Sequence, residues 1–328
     1  MFGANIAPQL AIVIHTEEEF DWDGGFNPTA TEVSHGPELL AIIENLKSIG
    51  AKCTLAMDYA FVTSEQGKQC INKINASHEL TDHVEFAAHL HPWVNPPLSP
   101  AYADAVPEQY SYPGNLPKDE EYSKLHALTK KITAIVGHPP VTYLAGRYGI
   151  GKNTPNILKR LGYKVDVSVS PFVDYTHQQG PNFSRFNNDL FYTNGILSWP
   201  HTSAVVSPFS FARRHFQNSP AAYSNASFFN KVIRKLVRAR LHRLSPEGFS
   251  LADMQNVTKY QYDLGQRCFI LSFHSPSVKS GLTPYVKNRA QAVEFKQKVL
   301  NYANWFKNEF KGEFIKVKDH PQVQHDTI

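Results

Sequence analysis

The strongest constraint on the fold is an alternation of short apolar runs with segments of helical periodicity. The runs at 9–15, 52–57 and 84–91 are typical of buried strands, and apolar spacing predicts helices at 39–46 and 64–75 between them. Parallel strands need a crossover connection, which a helix of this length supplies. The first ninety residues therefore predict a β-α-β-α-β order with a parallel sheet and right-handed crossovers.

The same alternation continues towards the other end of the chain. Helices are predicted near 122–135, 154–161, 251–264 and 288–306, and strands at 142–144, 164–169, 195–199, 268–273 and 313–317. We interpret the 328 residues as one α/β domain over 1–328, with an inserted basic helical segment at about 205–249.

The inserted segment contains a predicted amphipathic helix, 228–244, that is rich in Lys and Arg. Two interpretations stay open. In the first, the helix packs through Phe229, Val232, Leu236 and Leu241 and exposes a solvated basic face. In the second, its charge attracts an anionic partner, such as an acidic glycan, a membrane surface or a subunit.

Composition narrows the class of protein. Hydrophobic residues make up 42% and charged residues 19%, as in folded rather than disordered chains, and a net charge of +4 does not indicate nucleic acid. No apolar run approaches the roughly 18 residues of a membrane span, and no signal peptide pattern precedes the first strand. Three widely spaced cysteines favour a reducing compartment. We therefore expect a cytoplasmic protein.

Metal-binding side chains stand two residues apart at the ends of two predicted strands. His15 and Glu17 end the first, and His89 and His91 end the third. Alternate strand residues point to one face, so the two pairs would converge if these strands were parallel neighbours. Two imidazoles and a carboxylate suit zinc with one position left for water. The sequence therefore predicts Glu17, His89 and His91 as metal ligands.

A further histidine, His274, directly follows the apolar run 268–273. It would lie at the carboxyl end of a strand, where parallel α/β folds place their sites, and an imidazole there suits proton transfer near neutral pH. The alternative is a histidine that bonds only to the backbone at a strand end.

Five motifs, taken in order, resemble one enzyme family: HTEEEFDW, AAHLHPW, YLAGRYGIG, LSFHSPS and LTPYV. They resemble the polysaccharide deacetylases of carbohydrate esterase family 4, the NodB-homology domain, in the branch labelled WalW-like. The resemblance spans about 9–317 and implies a distorted (β/α)7-type barrel with parallel strands. The implied activity is metal-dependent hydrolysis of an N-acetyl or O-acetyl group on a sugar.

Residue by residue, the resemblance puts the metal carboxylate on Glu17, the metal histidines on His89 and His91, and the general acid on His274. The metal would be divalent, with zinc preferred and cobalt, nickel or manganese as alternatives.

The resemblance also implies an oxyanion contact at Tyr148 and an aspartate that tunes the acid histidine. Asp166 is the nearest match for that aspartate, and Asp174 is a weaker one. Trp93, Arg147 and Tyr285 belong to the matching motifs, and we expect them to bind substrate.

Two positions depart from the family pattern. His15 stands where relatives have an aspartate base, and Leu144 stands where they have the arginine that pairs with it. Loss of the aspartate alone would leave a buried arginine unpaired, at a cost of several kcal/mol, whereas loss of both restores neutrality.

Three explanations of these changes stay open. Neutral His15 is the base; or His15 joins the metal shell while Glu17 or Glu18 is the base; or hydrolysis is lost and the barrel only binds its glycan.

The sequence therefore predicts a metal-dependent hydrolase that removes an acetyl group from an acetylated sugar of a surface polysaccharide or its precursor. One alternative is hydrolysis of another C–N bond, as in cyclic ureides or imides. The other is a glycan-binding protein without catalysis. No nucleic acid and no membrane span are expected.

Overall fold

The computed structural model describes residues 7–22, 24–224 and 227–324. Its strands are β1 (Gln9–Thr16), β2 (Cys53–Met57), β3 (Val84–Leu90), β4 (Thr142–Ala145), β5 (Val165–Asp166), β6 (Phe191–Thr193), β7 (Ile196–Ser198), β8 (Ser203–Val206), β9 (Arg240–Arg243), β10 (Cys268–His274) and β11 (Glu313–Phe314).

Helices connect most of these strands. They are α1 (Gly36–Ser48), α2 (Tyr59–Thr63), α3 (Glu65–Asn75), α4 (His78–His83), α5 (Lys118–Val136), α6 (Thr154–Arg160), α7 (Ser210–Asn218), α8 (Pro220–Ser224), α9 (Phe228–Leu236), α10 (Leu251–Asp263), α11 (Arg289–Phe310) and α12 (Pro321–Gln324). Local sequence fixes several helix starts. Ser250, for example, caps α10 in a reciprocal pair with Asp253. No helix in the described part of the chain is long and apolar enough to cross a membrane.

The main sheet has nine strands in the order β10-β1-β2-β3-β4-β5-β7-β6, with β11 paired to β1 beside this path. From β10 to β7, seven neighbouring strands are all parallel, and β6 adds an antiparallel edge. The sheet curls into a half-barrel with helices packed outside it. The predicted distorted barrel of about seven parallel strands is therefore confirmed.

The open side of the half-barrel, between β7 and β10, is bridged by single hydrogen bonds. The Ile270 N–H donates to Thr202 Oγ1 over 2.9 Å, and the Ser272 N–H donates to the Leu244 carbonyl over 3.1 Å. The acceptors lie just before β8 and just after β9, which form a separate antiparallel pair. The inserted segment is thus attached where the barrel fails to close.

Alternate strand residues divide between two cores. The outward-facing residues of β1, Leu10, Ile12 and Ile14, are fully buried against the helices. Full burial of such side chains contributes about 1.5–3 kcal/mol each. The inward-facing set fills the barrel with smaller side chains, which include Ala11, Val13, Ala56, Ala87 and Leu144. Towards the carboxyl end of the strands this inner core gives way to histidines.

The inserted segment differs from its prediction. The helix predicted at 228–244 ends at Leu236, because the chain turns through Arg238, whose φ is 48°, and then enters β9. The packing prediction is also wrong, since Phe229 and Leu236 are each 72% exposed. Leu241 alone of the predicted contacts packs into the small core around Phe172 and Phe216.

Candidate metal centre and active site

Three predicted ligands meet at the carboxyl end of the sheet. Glu17 Oε2 lies 3.1 Å from His89 Nε2 and 3.5 Å from His91 Nε2. One ligand atom from each residue falls within 4.8 Å of the others, and all three side chains are buried. A carboxylate oxygen and two imidazole nitrogens at this separation fit a divalent cation of the zinc type.

The Nδ1 atom of each imidazole, on the side away from Glu17, supports this fit. His89 Nδ1 is 3.0 Å from the Leu144 carbonyl oxygen, and His91 Nδ1 is 2.9 Å from Glu18 Oε2. Both partners accept hydrogen bonds, so the Nδ1 atoms hold the protons and the Nε2 lone pairs are left for a metal. The donor set is therefore oriented as a metal centre requires.

β1 and β3, whose ends carry the candidate ligands, are not neighbours in the sheet. The prediction from sequence had required them to be neighbours. β2 lies between β1 and β3 and supplies no ligand. Its Ala56 pairs in register with His15 on one side and with Ala87 on the other. The small side chain and the curl of the sheet let the rings of His15 and His89 approach to 5.3 Å between centroids across β2.

The three consecutive glutamates make different sets of contacts. Glu17 faces the metal histidines. Glu18 accepts hydrogen bonds from His91 and from the Trp93 indole N–H, the latter over 2.8 Å. Glu19 lies 3.4 Å from His35 Nδ1.

Glu18 forms a second buried group with Asp58 and His91. Burial raises the pKa of Glu18 to about 7 and holds the pKa of Asp58 well above its usual value. Sequence reasoning named Glu18 only as an alternative base and missed Asp58, although Asp58 directly follows β2 at the same sheet edge.

Trp93 supports His91. Its ring stacks on the imidazole with centroids 4.1 Å apart, and the side chain is 2% exposed. It also lines the cavity described below.

His274 ends β10, as predicted, and pairs with a residue that the sequence did not indicate. Its Nδ1 lies 2.7 Å from Glu247 Oε2, and its backbone N–H donates to Glu247 Oε1 over 3.1 Å. Burial alone would lower the pKa of His274, but the negative charges of Glu247 and Glu17 outweigh it and raise the pKa to about 9. The contact with Glu247 therefore favours the protonated form of the imidazole.

The prediction that Asp166 tunes this histidine needs correction. The Asp166 carboxylate accepts hydrogen bonds from the Ser168 N–H and hydroxyl, and burial raises its pKa to about 6. Asp174, the second candidate for this role, accepts hydrogen bonds from the Thr176 N–H and from the Asn182 side chain. Glu247, and not Asp166, lies beside His274, because the chain after β9 runs beside β10, whereas β5 lies across the barrel.

His15 stands among aromatic rings. Its nearest ring is that of His274, with centroids 4.6 Å apart, followed by His89, Tyr148 and His201. Burial, with the positive charges of neighbouring histidines, holds the pKa of His15 well below its usual value. Leu144 is fully buried in the inner core and pairs in register with His89.

Arg147 and Tyr148 occupy a strained turn. Both have left-handed backbone angles, with φ of 54° and 59°, which costs roughly 1–2 kcal/mol per residue. The Arg147 guanidinium compensates by stacking on the Tyr112 ring at 4.1 Å and by pairing with Glu108 at 3.2 Å. The Tyr148 ring turns towards His15.

The candidate site opens into one cavity of about 600 Å³. Tyr285 is 42% exposed at its rim, against Trp22. Arg243 also lines the cavity and donates to the Tyr175 hydroxyl over 2.6 Å. Sequence reasoning had assigned Arg243 to the basic helix, because nothing in the spacing marks the change from helix to strand. The full lining is His15, Glu17, Phe20, Trp22, Gly25, Phe26, His89, His91, Trp93, Glu108, Tyr112, Arg147, Tyr148, Tyr175, Gln178, Arg243, His274 and Tyr285.

Searches against family models and against curated proteins both gave no match. Solved structures do match. A protein described as a probable polysaccharide deacetylase from Pseudomonas aeruginosa PAO1 is 12% identical, with a TM-score of 0.50 over 97% of this chain and 91% of that chain.

Two further solved structures share this shape. The Puue allantoinase is 12% identical, with a TM-score of 0.51 over 99% of this chain and 96% of that chain. A 4-alpha-glucanotransferase from Thermococcus litoralis is 9% identical, with a TM-score of 0.52 over 95% of this chain but 40% of that chain. The chain therefore has the half-barrel fold that this deacetylase and this allantoinase share.

Proposed function

We propose that the protein is a metal-dependent hydrolase that removes an acetyl group from an N-acetylated or O-acetylated sugar of a surface polysaccharide or its precursor. The observation that carries this proposal is one cavity at which a metal-type donor set lies beside the His274–Glu247 pair. Hydrolysis of an amide needs an activated water and a proton for the leaving amine, and these groups match the two needs.

In the proposed mechanism, Glu17, His89 and His91 hold the ion, with zinc as the preferred metal. Held there, the ion would supply Lewis acidity that polarises a carbonyl and lowers the pKa of a water molecule. His15 would accept a proton from the attacking water, because its lowered pKa leaves the imidazole neutral with a free nitrogen lone pair.

His274 then donates its proton to the leaving nitrogen, and Glu247 holds it protonated until that step. Arg147, Trp93 and Tyr285 bind the sugar, and the turn at Tyr148 contributes to the oxyanion contact. His15 as base departs from the polysaccharide deacetylases whose motifs the chain resembles, because they have an aspartate at this position.

Two alternative functions fit the same cavity. Hydrolysis of a cyclic ureide or imide uses the same groups, and the fold shared with an allantoinase favours it as the second candidate. A glycan-binding protein without catalysis would keep the cavity without turnover. The WalW-like branch and a cytoplasmic location remain predictions.

The test combines metal content with substrate profiling. Purified protein is analysed for metals, stripped with a chelator and reloaded with zinc, cobalt, nickel or manganese. Acetate release from acetylated amino sugars and ring opening of allantoin are then measured in parallel. Acetate release that returns with metal supports the proposal, whereas ring opening without acetate release selects the alternative.

The ligand set is tested separately with the His89→Ala, His91→Ala double variant. The matched control is His78→Ala, His83→Ala, which removes two histidines of the separate helix α4. Metal content that is the same in the ligand variant and the control would remove the basis of the proposal.

A further inference from the structure

Arg243 brings a positive charge into the candidate active site. It is the last residue of β9, and its side chain lines the same cavity as His274 and Tyr148. One guanidinium nitrogen donates to the Tyr175 hydroxyl over 2.6 Å, and the guanidinium carbon lies 5.6 Å from the Tyr148 ring centre. A guanidinium has five N–H donors, so this single bond leaves most of them for another partner.

The charge on Arg243 has no carboxylate partner among the residues that the structure describes. Within the described ranges, no acidic side chain lies within 4.0 Å of its guanidinium nitrogens. The other cavity arginine, Arg147, has Glu108 at 3.2 Å. Glu17 and Glu247 are bonded to histidines. A cation held in a partly desolvated cavity without a counter-charge is costly, and an anionic ligand group removes that cost.

We propose that Arg243, together with the Tyr175 hydroxyl, binds an anionic group of the substrate, either a carboxylate or a phosphate. This inference rests on the proposed function, because it specifies the class of sugar that the same cavity accepts. Arginine suits this task since its planar fork pairs with both kinds of anion through two parallel hydrogen bonds.

The test measures binding, so it does not depend on turnover. N-acetylglucosamine, N-acetylmuramic acid and N-acetylglucosamine 6-phosphate are titrated calorimetrically into metal-loaded and metal-stripped protein. They provide a neutral, a carboxylate and a phosphate probe. We expect at least one anionic sugar to bind about tenfold or more tightly than the neutral sugar, and Arg243→Gln to remove this preference.

Two variants separate this role from a structural one. Arg243→Lys keeps the charge and is expected to retain part of the preference. Arg267→Gln removes one charge outside the cavity, where Arg267 stacks on Tyr262, and is expected to leave the preference unchanged. Equal binding of all three sugars, or a preference that survives Arg243→Gln, overturns the inference. Failure of acetate release alone would count against the proposed function instead.

A second, independent observation concerns the exposed face of α9. Phe228 is 84% exposed, Phe229 and Leu236 are each 72% exposed, and Val232 is 39% exposed. Residues at 228, 232 and 236 are spaced four apart and therefore share one side of the helix, with 229 beside them. On the protein side of α9, Ile233 and Arg234 are half-buried, and Val237, directly after the helix, packs against the small core around Phe172 and Phe216.

Positive charge borders this apolar face. Lys231 and Lys235 are exposed next to it on the helix. The stretch 190–246 contains eight Lys and Arg residues and no Asp or Glu. Exposed aromatic residues beside lysines, with no acidic residue in the segment, are typical of helices that lie in the interface of an anionic bilayer.

We infer that α9 binds the surface of a membrane that contains anionic lipids, with the two phenylalanines inserted and the lysines near the headgroups. The charge pattern favours this occupant over a second copy of the chain, whose matching face would carry the same positive charge. This inference is independent of the proposed reaction.

Vesicle co-sedimentation tests it. The protein is mixed with phosphatidylcholine vesicles that contain or lack phosphatidylglycerol, and the bound fraction is measured against lipid concentration. We expect binding only with the anionic lipid. Lys231→Gln, Lys235→Gln is expected to weaken the partition coefficient roughly 30-fold, at about 1 kcal/mol per charge. Phe228→Ser, Phe229→Ser is expected to abolish binding.

The control variants remove similar groups elsewhere: Lys118→Gln, Lys130→Gln on α5, and Val293→Ser on α11, where Val293 is 63% exposed. Binding that the α9 variants leave unchanged, or no binding to either vesicle, contradicts the inference. So does a dimer in solution that Phe228→Ser, Phe229→Ser dissociates, because the face would then be an interface between copies.

Discussion

The pairing of Glu247 with His274 makes a quantitative prediction about proton transfer. In Glu247→Gln, the side chain keeps its size and an acceptor oxygen but loses its charge. The charge and the hydrogen bond of Glu247 are two of the three influences that raise the pKa of His274, and the charge of Glu17 is the third. Without Glu247, burial and the charge of Arg243 lower the pKa of His274, and the charge of Glu17 alone among these influences raises it.

The size of the effect follows from the wild-type value. The pKa of His274 is raised from 6.5 to about 9. Loss of Glu247 should lower it by about two pH units, or roughly 3 kcal/mol of preference for the protonated form. The sign follows from the raised pKa: the pair stabilises the fold fully below pH 6.5, and this contribution is lost as the pH rises through about 9.

Two measurements check this prediction. Histidine NMR titration, assigned with His274→Gln, reports the pKa without any need for turnover. The pH profile of kcat/KM for acetate release should lose activity above about pH 9 in wild type and about two pH units lower in Glu247→Gln. The control is Glu294→Gln on the exposed face of α11. A His274 pKa that stays near 9 in Glu247→Gln would refute the reasoning.

Three further predictions concern the metal side of the cavity. His15→Asp should reduce acetate release by about 100-fold or more, because a carboxyl group buried beside Glu17, without an arginine at position 144, stays protonated. Restored activity in His15→Asp, Leu144→Arg would support this cause. Full activity in the single variant would contradict it. Glu18→Gln should weaken zinc binding by about 10–100-fold in a chelator competition, since Glu18 orients His91; unchanged affinity would mean that Glu18 has no such role. Ala56→Val should lower the free energy of unfolding in urea by about 1–3 kcal/mol and separate His15 from His89; a variant with wild-type stability and metal content would show that the inner layer has spare room.

The sequence predicted the sheet and the convergence of the candidate ligands because both depend on a local period. Residues at 15, 17, 89 and 91 follow apolar runs with two-residue spacing, and the structure keeps them on one face. The position of β2 between β1 and β3 could not be read in this way, since strand order depends on long-range pairing.

Glu247 was missed for a related reason. It lies in a loop 27 positions before His274, with no periodic pattern around it. Asp166 was the better match by strand position, but Ser168 already satisfies its carboxylate. The basic stretch was misjudged because helical spacing continues past Leu236, while the backbone turns at Arg238.

The candidate ligands lie at the carboxyl ends of β1 and β3, on either side of a strand that supplies none, and this has a consequence for the order in which the site is made. A chain emerging from the ribosome completes the donor set at His91, once β1, β2 and β3 can pair. Glu247 and His274 are synthesised more than 150 residues later. Translation thus separates the two halves of the candidate site in time. Under the proposed function, the metal-binding half of the site needs only the first part of the chain, whereas proton transfer to the leaving group has to wait for β10.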